Sequence, residues 1–223
     1  MLQITNPTSN RKLKIRNFDE DKLASLNAHP GLRYHGKVGE NFMFSGDYFL
    51  VDCEGELIES FEINIYIHKS YPNTFPIIEL LDDKIERVEE YHVNEHGIVC
   101  LEHTYIANKL AKEGLRVYDF IDFYLHRYFS WVLVKKSGVD SNLQEWAHLD
   151  KGTIQVYETL LDMSDKSQIV IFLNNYLMVN KPRRNIKCFC GCGKKLKYCH
   201  YDAYQFLKSI PQKDIAKDIE LFQ

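Results

Sequence analysis

Cys100 and Asn94 stand six residues apart in Tyr91-His-Val-Asn-Glu-His-Gly-Ile-Val-Cys-Leu-Glu-His103, where His92, His96 and His103 accompany them. A cysteine nucleophile forms thioesters readily, because the thiolate is both a good attacker and a good leaving group. An unperturbed thiol, with a pKa of ~8.5, is a few per cent ionised at neutral pH, so a nearby cation or donor helps without being mandatory. When an amine attacks a thioester, charge develops on the carbonyl oxygen, and a fixed carboxamide N–H can stabilise it by roughly 2.7–4 kcal/mol. Fully extended, the chain would carry Asn94 about 20 Å from Cys100. It must therefore turn back, and Gly97 is where it most cheaply can. Each residue also has a plainer reading: Cys100 as a small core residue, Asn94 as a turn cap, His96 and His103 as surface histidines.

A second cluster lies near the C-terminus, in Cys188-Phe-Cys190-Gly-Cys192-Gly-Lys-Lys-Leu-Lys-Tyr-Cys199-His200, which holds four of the chain's six cysteines. A Cys-x-Cys pair and a Cys-His pair around a glycine-turned loop suit tetrahedral zinc. In a reducing compartment such spacing favours metal binding over disulfides. About 40 residues rarely fold on apolar burial alone, whereas zinc binding in small modules is worth ~10–16 kcal/mol. Four protein ligands leave no open coordination position, so this zinc would be structural. Lys194, Lys195 and Lys197 read as a solvated loop, with phosphate or an acidic protein surface as the functional alternative.

The elements that must position these groups are legible around them. Phe61, Ile63, Ile65 and Ile67 alternate with more polar residues, the mark of a strand with one buried face. Phe42 to Val51 pairs with that strand across the turn Asp52-Cys-Glu-Gly55, and Tyr71-Pro-Asn-Thr-Phe-Pro76 forms a rigid turn before a strand over Ile77 to Leu81. A short helix is expected from Asp19 to Asn27, a loop around Ala107 to Gly114, and a buried apolar helix from Val117 to Val134. Two further helices are expected near Thr153–Met163 and Lys166–Val179. The basic patch Arg11 to Arg16 reads as a solvated face or a first strand. A composition shift at Lys181-Pro-Arg-Arg184 marks the boundary between a main domain, 1–180, and a zinc module, 181–223. The fold class is α+β, an antiparallel meander packed on helices with a zinc-stabilised C-terminal module.

With 28 basic and 31 acidic side chains the formal charge is −3, so no global field draws the protein to nucleic acid or anionic lipid, and neither is expected as a partner. The N-terminus lacks a basic region followed by an apolar core, and the longest apolar run is broken by Asp119, Asp122, His126 and Arg127. These features lead to the expectation of a cytoplasmic protein without a membrane span.

The order of meander, Tyr71-Pro72, Pro76, strand, His92-Val93-Asn94, Gly97 and Val99-Cys100-Leu101 resembles the ubiquitin-conjugating enzyme family, over roughly residues 30–135. That family carries a His-Pro-Asn motif followed by Gly-x-Ile-Cys-Leu. The resemblance implies that Cys100 accepts an activated modifier as a thioester from an activating enzyme and passes it to a target amine, with Asn94 supporting the oxyanion. Here Val93 replaces the motif proline, and the interval from Asn94 to Cys100 is shorter than in typical eukaryotic members. Such trimmed forms resemble prokaryotic members associated with antiphage operons, where the cargo is a ubiquitin-like modifier or the C-terminus of a nucleotidyltransferase. A lysine amine is neutral about one time in a thousand near pH 7.4, and Glu102, His103 and Glu113 are the candidates to assist its deprotonation.

The C-terminal cluster resembles the SEC-C zinc module, over residues 186–201, which implies Cys188, Cys190, Cys199 and His200 as ligands and a docking role for the module. Cys192 occupies the position where that pattern usually has serine. Two other readings compete with the carrier enzyme: an inactive binding protein of the same fold, and a cysteine hydrolase with a histidine base.

Overall fold

A computed structural model describes residues 17–139, 146–147, 149–179 and 182–222. The basic patch Arg11 to Arg16 lies outside these residues. The chain divides into two units near residue 145, each with its own core.

In the first unit, helix α1 (Phe18–Ala28) begins at Asn17, whose side-chain oxygen accepts the Glu20 amide at 2.9 Å. Asp19, Glu20 and Asp21 fill its first turn, where carboxylates complement the helix dipole. Strands β1 (Leu32–Val38), β2 (Asn41–Val51), β3 (Leu57–His68) and β4 (Ile77–Leu80) follow as an antiparallel sheet in chain order. Register pairs Phe42 with Ile67, Phe44 with Ile65 and Tyr48 with Phe61, and the expected period-two face of β3, Phe61, Ile63, Ile65 and Ile67, is realised and fully buried. The opposite face is polar where it is closed: Asn64 Nδ2 and the Tyr66 hydroxyl donate to Glu79 Oε2 at 2.9 and 2.6 Å.

The apolar run forms as expected in place, though not in winding. Helix α2 (Thr104–Lys112) precedes it, and α3 (Val117–Asp119) passes through a π-helical stretch, Phe120–Leu125, into α4 (His126–Lys136). Phe120, Ile121, Leu125, Phe129 and Val132 are fully buried, while Phe123, expected inside, is exposed. Phe129 stacks on Phe61 with ring centroids 4.1 Å apart, which seats α4 on the sheet. The start of α3 is fixed from a distance: the buried Asp21 carboxylate accepts the Val117 amide at 2.6 Å and the Tyr71 hydroxyl.

The expected loop at Ala107 to Gly114 is instead mostly α2. Ile106, Leu110 and Ala111 recur at helical spacing and are buried, and the chain leaves the helix at Gly114, whose φ is 89°.

The second unit holds α5 (Leu149–Leu161), α6 (Lys166–Met178), the cysteine-bearing loop, α7 (Tyr201–Leu207) and α8 (Gln212–Asp218). A boundary at 181 would cut through it. Asn175 of α6 donates to the Phe189 carbonyl at 2.8 Å, Phe172 packs against the rings of Phe189 and His200, and Tyr157 donates to Asp218 at 2.8 Å. The two helices grouped by sequence with the sheet thus build the core against which the cysteine loop folds. Val156, Leu161, Phe172, Leu173, Leu196 and Leu207 are fully buried there. Among the described residues no helix is long and apolar enough to cross a membrane.

Candidate functional site

The Asn94–Cys100 segment is a hairpin added to the free edge of the sheet. Val93 bridges Val99, the Cys100 amide donates to the His92 carbonyl at 2.8 Å, and the Asn94 amide donates to the Ile98 carbonyl at 3.0 Å. The return strand pairs with β4: Leu80 N donates to Gly97 O at 2.8 Å and Val99 N to Ile78 O at 3.1 Å. Residues opposite one another in an antiparallel pair share a face, and neighbours along the strand alternate. Val93 and Val99 are buried toward the core, while Asn94 and Cys100 are exposed on the outward face. Asn94 and Cys100 become diagonal neighbours, for which Cα atoms lie about 7–8 Å apart.

Gly97 makes the turn: its φ is 79°, and a Cβ there would meet the Leu80 carbonyl oxygen at 2.7 Å. Asn94 Oδ1 accepts the amides of His96 and Ile98 at 3.0 and 2.9 Å. The plainer reading of Asn94 as a turn cap is therefore realised. The same bonds fix the amide plane and leave Nδ2 as the carboxamide's donor.

Cys100 is exposed, which sets aside the reading of a small core residue. Desolvation by the surrounding protein, then the Glu102 carboxylate, pushes its thiol above the usual range. Sγ lies 3.8 Å from the Glu102 carbonyl, and among the described residues no imidazole lies within hydrogen-bonding distance of it. His103 caps α2, its Nδ1 accepting the Tyr105 amide at 3.3 Å. The His96 side chain is 77% exposed beside Glu95, and Glu113 pairs with Lys109 at 2.6 Å. Sequence proximity thus placed three candidates near the thiol, and of these Glu102 is the one whose charge reaches it.

Helix α4 contributes groups that sequence reasoning missed. The Glu102 side chain is 7% exposed and meets Arg127 at 3.5 Å; Tyr128 donates to the Tyr91 carbonyl at 2.8 Å, Lys135 to the Glu90 carbonyl at 2.8 Å, and Trp131 packs on His92. These residues stand some 30 positions beyond the cysteine on an apolar helix, and nothing in their local spacing marks them.

In the second unit Cys188, Cys190, Cys199 and His200 bring one donor atom each to within 4.8 Å of one another, a group that could hold a metal ion such as zinc. Cys190 and Cys199 Sγ are 3.7 Å apart, and His200 Nδ1 is 3.2 Å from Cys188 Sγ and 3.1 Å from Cys199 Sγ. Tetrahedral zinc with bonds of ~2.3 Å to sulfur and ~2.05 Å to nitrogen needs edges of roughly 3.6–3.8 Å. The donors are thus gathered at nearly the spacing of a zinc tetrahedron. His200 Nε2 lies 3.0 Å from the Leu161 carbonyl, which fixes Nε2 as the protonated nitrogen and frees Nδ1 for a metal. Cys192 is exposed, with its Sγ 3.5 Å from that of Cys199, at the rim of the group and outside the four. No family model, curated protein or solved structure matches this chain.

Proposed function

We propose that this chain is an acyl carrier of the ubiquitin-conjugating type, in which Cys100 takes a protein C-terminus from an activating enzyme as a thioester and releases it to an amine. The observation that supports this reading best is the edge hairpin, which presents an exposed thiol and an anchored carboxamide on one face while its valines are buried. In the loading step the Cys100 thiolate attacks the incoming thioester carbonyl and the donor's thiolate leaves. In the discharge step a neutral amine attacks the same carbonyl, the C–S bond breaks, Cys100 recovers as thiolate, and the amine's proton passes to a nearby base. In this reading Asn94 Nδ2 donates to the oxyanion that forms between amine attack and C–S cleavage. A thiol held above its usual pKa, with no imidazole bonded to it, is the opposite of what a cysteine hydrolase requires.

In the same proposal the four donors of the second unit bind zinc. The metal would supply a cross-link between the cysteine loop and the start of α7, with Leu161 orienting His200 as a ligand. The test of the carrier reading is incubation with ATP and lysate from the protein's own source, followed by non-reducing gels. A thiol-sensitive adduct, absent in Cys100→Ala and thiol-stable in Cys100→Ser, is expected; its absence in a lysate with active conjugation would overturn the reading.

A further inference from the structure

Between residues 182 and 200 the chain carries Arg183, Arg184, Lys187, Lys194, Lys195 and Lys197 and no carboxylate, although the whole protein is net negative. The backbone turns this run into a short hairpin. Lys187 bridges Lys195, Cys188 N donates to Lys194 O at 2.8 Å, Leu196 N to Ile186 O at 2.8 Å, and Lys197 N to Arg184 O at 3.0 Å. Alternation then sorts the residues: Cys188 and Leu196 are buried, while Lys187 and Lys195 are exposed directly opposite one another. Like charges in that position destabilise a strand pair, and among the described residues none of the six cations has a carboxylate partner. Zinc held by three thiolates and an imidazole would leave one net negative charge, too little to neutralise six cations.

Beside this cationic face stands an aromatic ring. Tyr198 is 72% exposed, and Lys197 Nζ lies 4.6 Å from its centroid. An unpaired cationic strip next to an open ring is the pairing that recognises single-stranded nucleic acid: phosphates meet the cations and an unstacked base meets the ring. An acidic protein segment would use the charges but has no general need of the tyrosine face.

We propose that the hairpin 184–198 is a single-stranded nucleic-acid contact. It is independent of the carrier reading, since it uses neither Cys100 nor Asn94.

The test is fluorescence anisotropy of the full chain with fluorescein-labelled mixed-sequence 12-mers, single-stranded RNA and DNA and the matching duplexes. Four phosphates contacted on a single strand give a salt exponent of about −2.8, hence roughly 50-fold weaker binding at 200 mM than at 50 mM salt. Lys187→Glu with Lys195→Glu should weaken binding at least tenfold, and Tyr198→Ala by about 5- to 160-fold, the range of one base-stacking contact. Lys187→Gln with Lys195→Gln serves if charge reversal disturbs the fold, with melting temperature and zinc content as controls. Lack of single-strand binding, or binding that these variants leave intact, overturns the proposal. Equal affinity for single strands, duplexes and polyglutamate, with Tyr198→Ala silent, overturns it in favour of a general acidic partner.

Discussion

Replacing Gly97 by alanine separates two costs that usually come together. At φ 79° any side chain pays for the left-handed conformation, about 1–2 kcal/mol. At Gly97 the new Cβ would also stand 2.7 Å from the Leu80 carbonyl oxygen, backbone that cannot swing aside. Relief of that contact must move the hairpin off β4 and stretch the 2.8 Å bond from Leu80 N to Gly97 O, a loss of about 0.5–1.5 kcal/mol. Gly114 supplies the control, because its φ is 89° and a Cβ there would meet nothing within 4 Å. Gly114→Ala should cost about 1–2 kcal/mol. Gly97→Ala should cost about 1.5–3.5 kcal/mol, the sum of strain and the displaced strand. Urea unfolding of both variants, followed by Trp131 fluorescence in a Trp146→Phe background, reports on the first unit, and Trp131 packs on His92 at the base of the hairpin. Equal losses at the two glycines would refute the close approach and with it the hairpin's attachment to the sheet.

Three other perturbations follow from the same geometry. Asp21→Ala strands the Tyr71 hydroxyl and the Val117 amide without an acceptor and should cost about 3–5 kcal/mol in the same unfolding assay, whereas a loss below about 1 kcal/mol would show that α3 does not depend on this carboxylate. The raised Cys100 thiol should alkylate slowly at pH 7 and go on accelerating above pH ~8.5, read by peptide-resolved mass spectrometry. The linked stability has the opposite trend: the unfolded state loses this proton first, so the unit loses stability as pH rises through ~8.5, and Cys100→Ser should remove that part of the slope. Chelation, or Cys188→Ser, should release one zinc per chain and lower the melting temperature of the second unit, while Cys192→Ser should keep the metal; loss of zinc from the Cys192 variant would place that thiol among the ligands.

The strands and the long apolar helix were legible because a single physical pattern governs each. Burial on one sheet face writes itself as period two in Phe61 to Ile67, and burial on most sides of a helix as the dense apolar run after Val117. The cysteine group was legible because metal ligands come in short sequence pairs. What escaped were relations between distant segments. Asp21 lies 96 residues from the amide it caps, and Arg127 lies 25 residues from Glu102. The extent of the second unit escaped for the same reason: α6 packs on Phe189 through Phe172 and Asn175, a contact that composition at Lys181–Arg184 cannot reveal. The tail was expected to depend wholly on metal, and the structure gives it an apolar core as well.

A thiol with a raised pKa suits storage more than turnover. A higher-pKa thiolate is the more nucleophilic one, but it leaves more slowly, so a thioester built on it persists until something activates the attacking amine. That activation is substantial: about one lysine in a thousand is neutral near pH 7.4, which costs ~4 kcal/mol. On the proposed carrier reading, Glu102 acts in both halves of the cycle. Its carboxylate, 7% exposed and 3.5 Å from Arg127, adds to desolvation in raising the Cys100 thiol, and on the same reading it accepts the attacking amine's proton. Glu102→Gln should therefore load faster and discharge to lysine more slowly. Single-turnover loading and discharge, measured separately, distinguish this from a structural defect. Slowing of both halves would mean that Glu102 merely holds the loop in place, and faster discharge would assign the proton to another base.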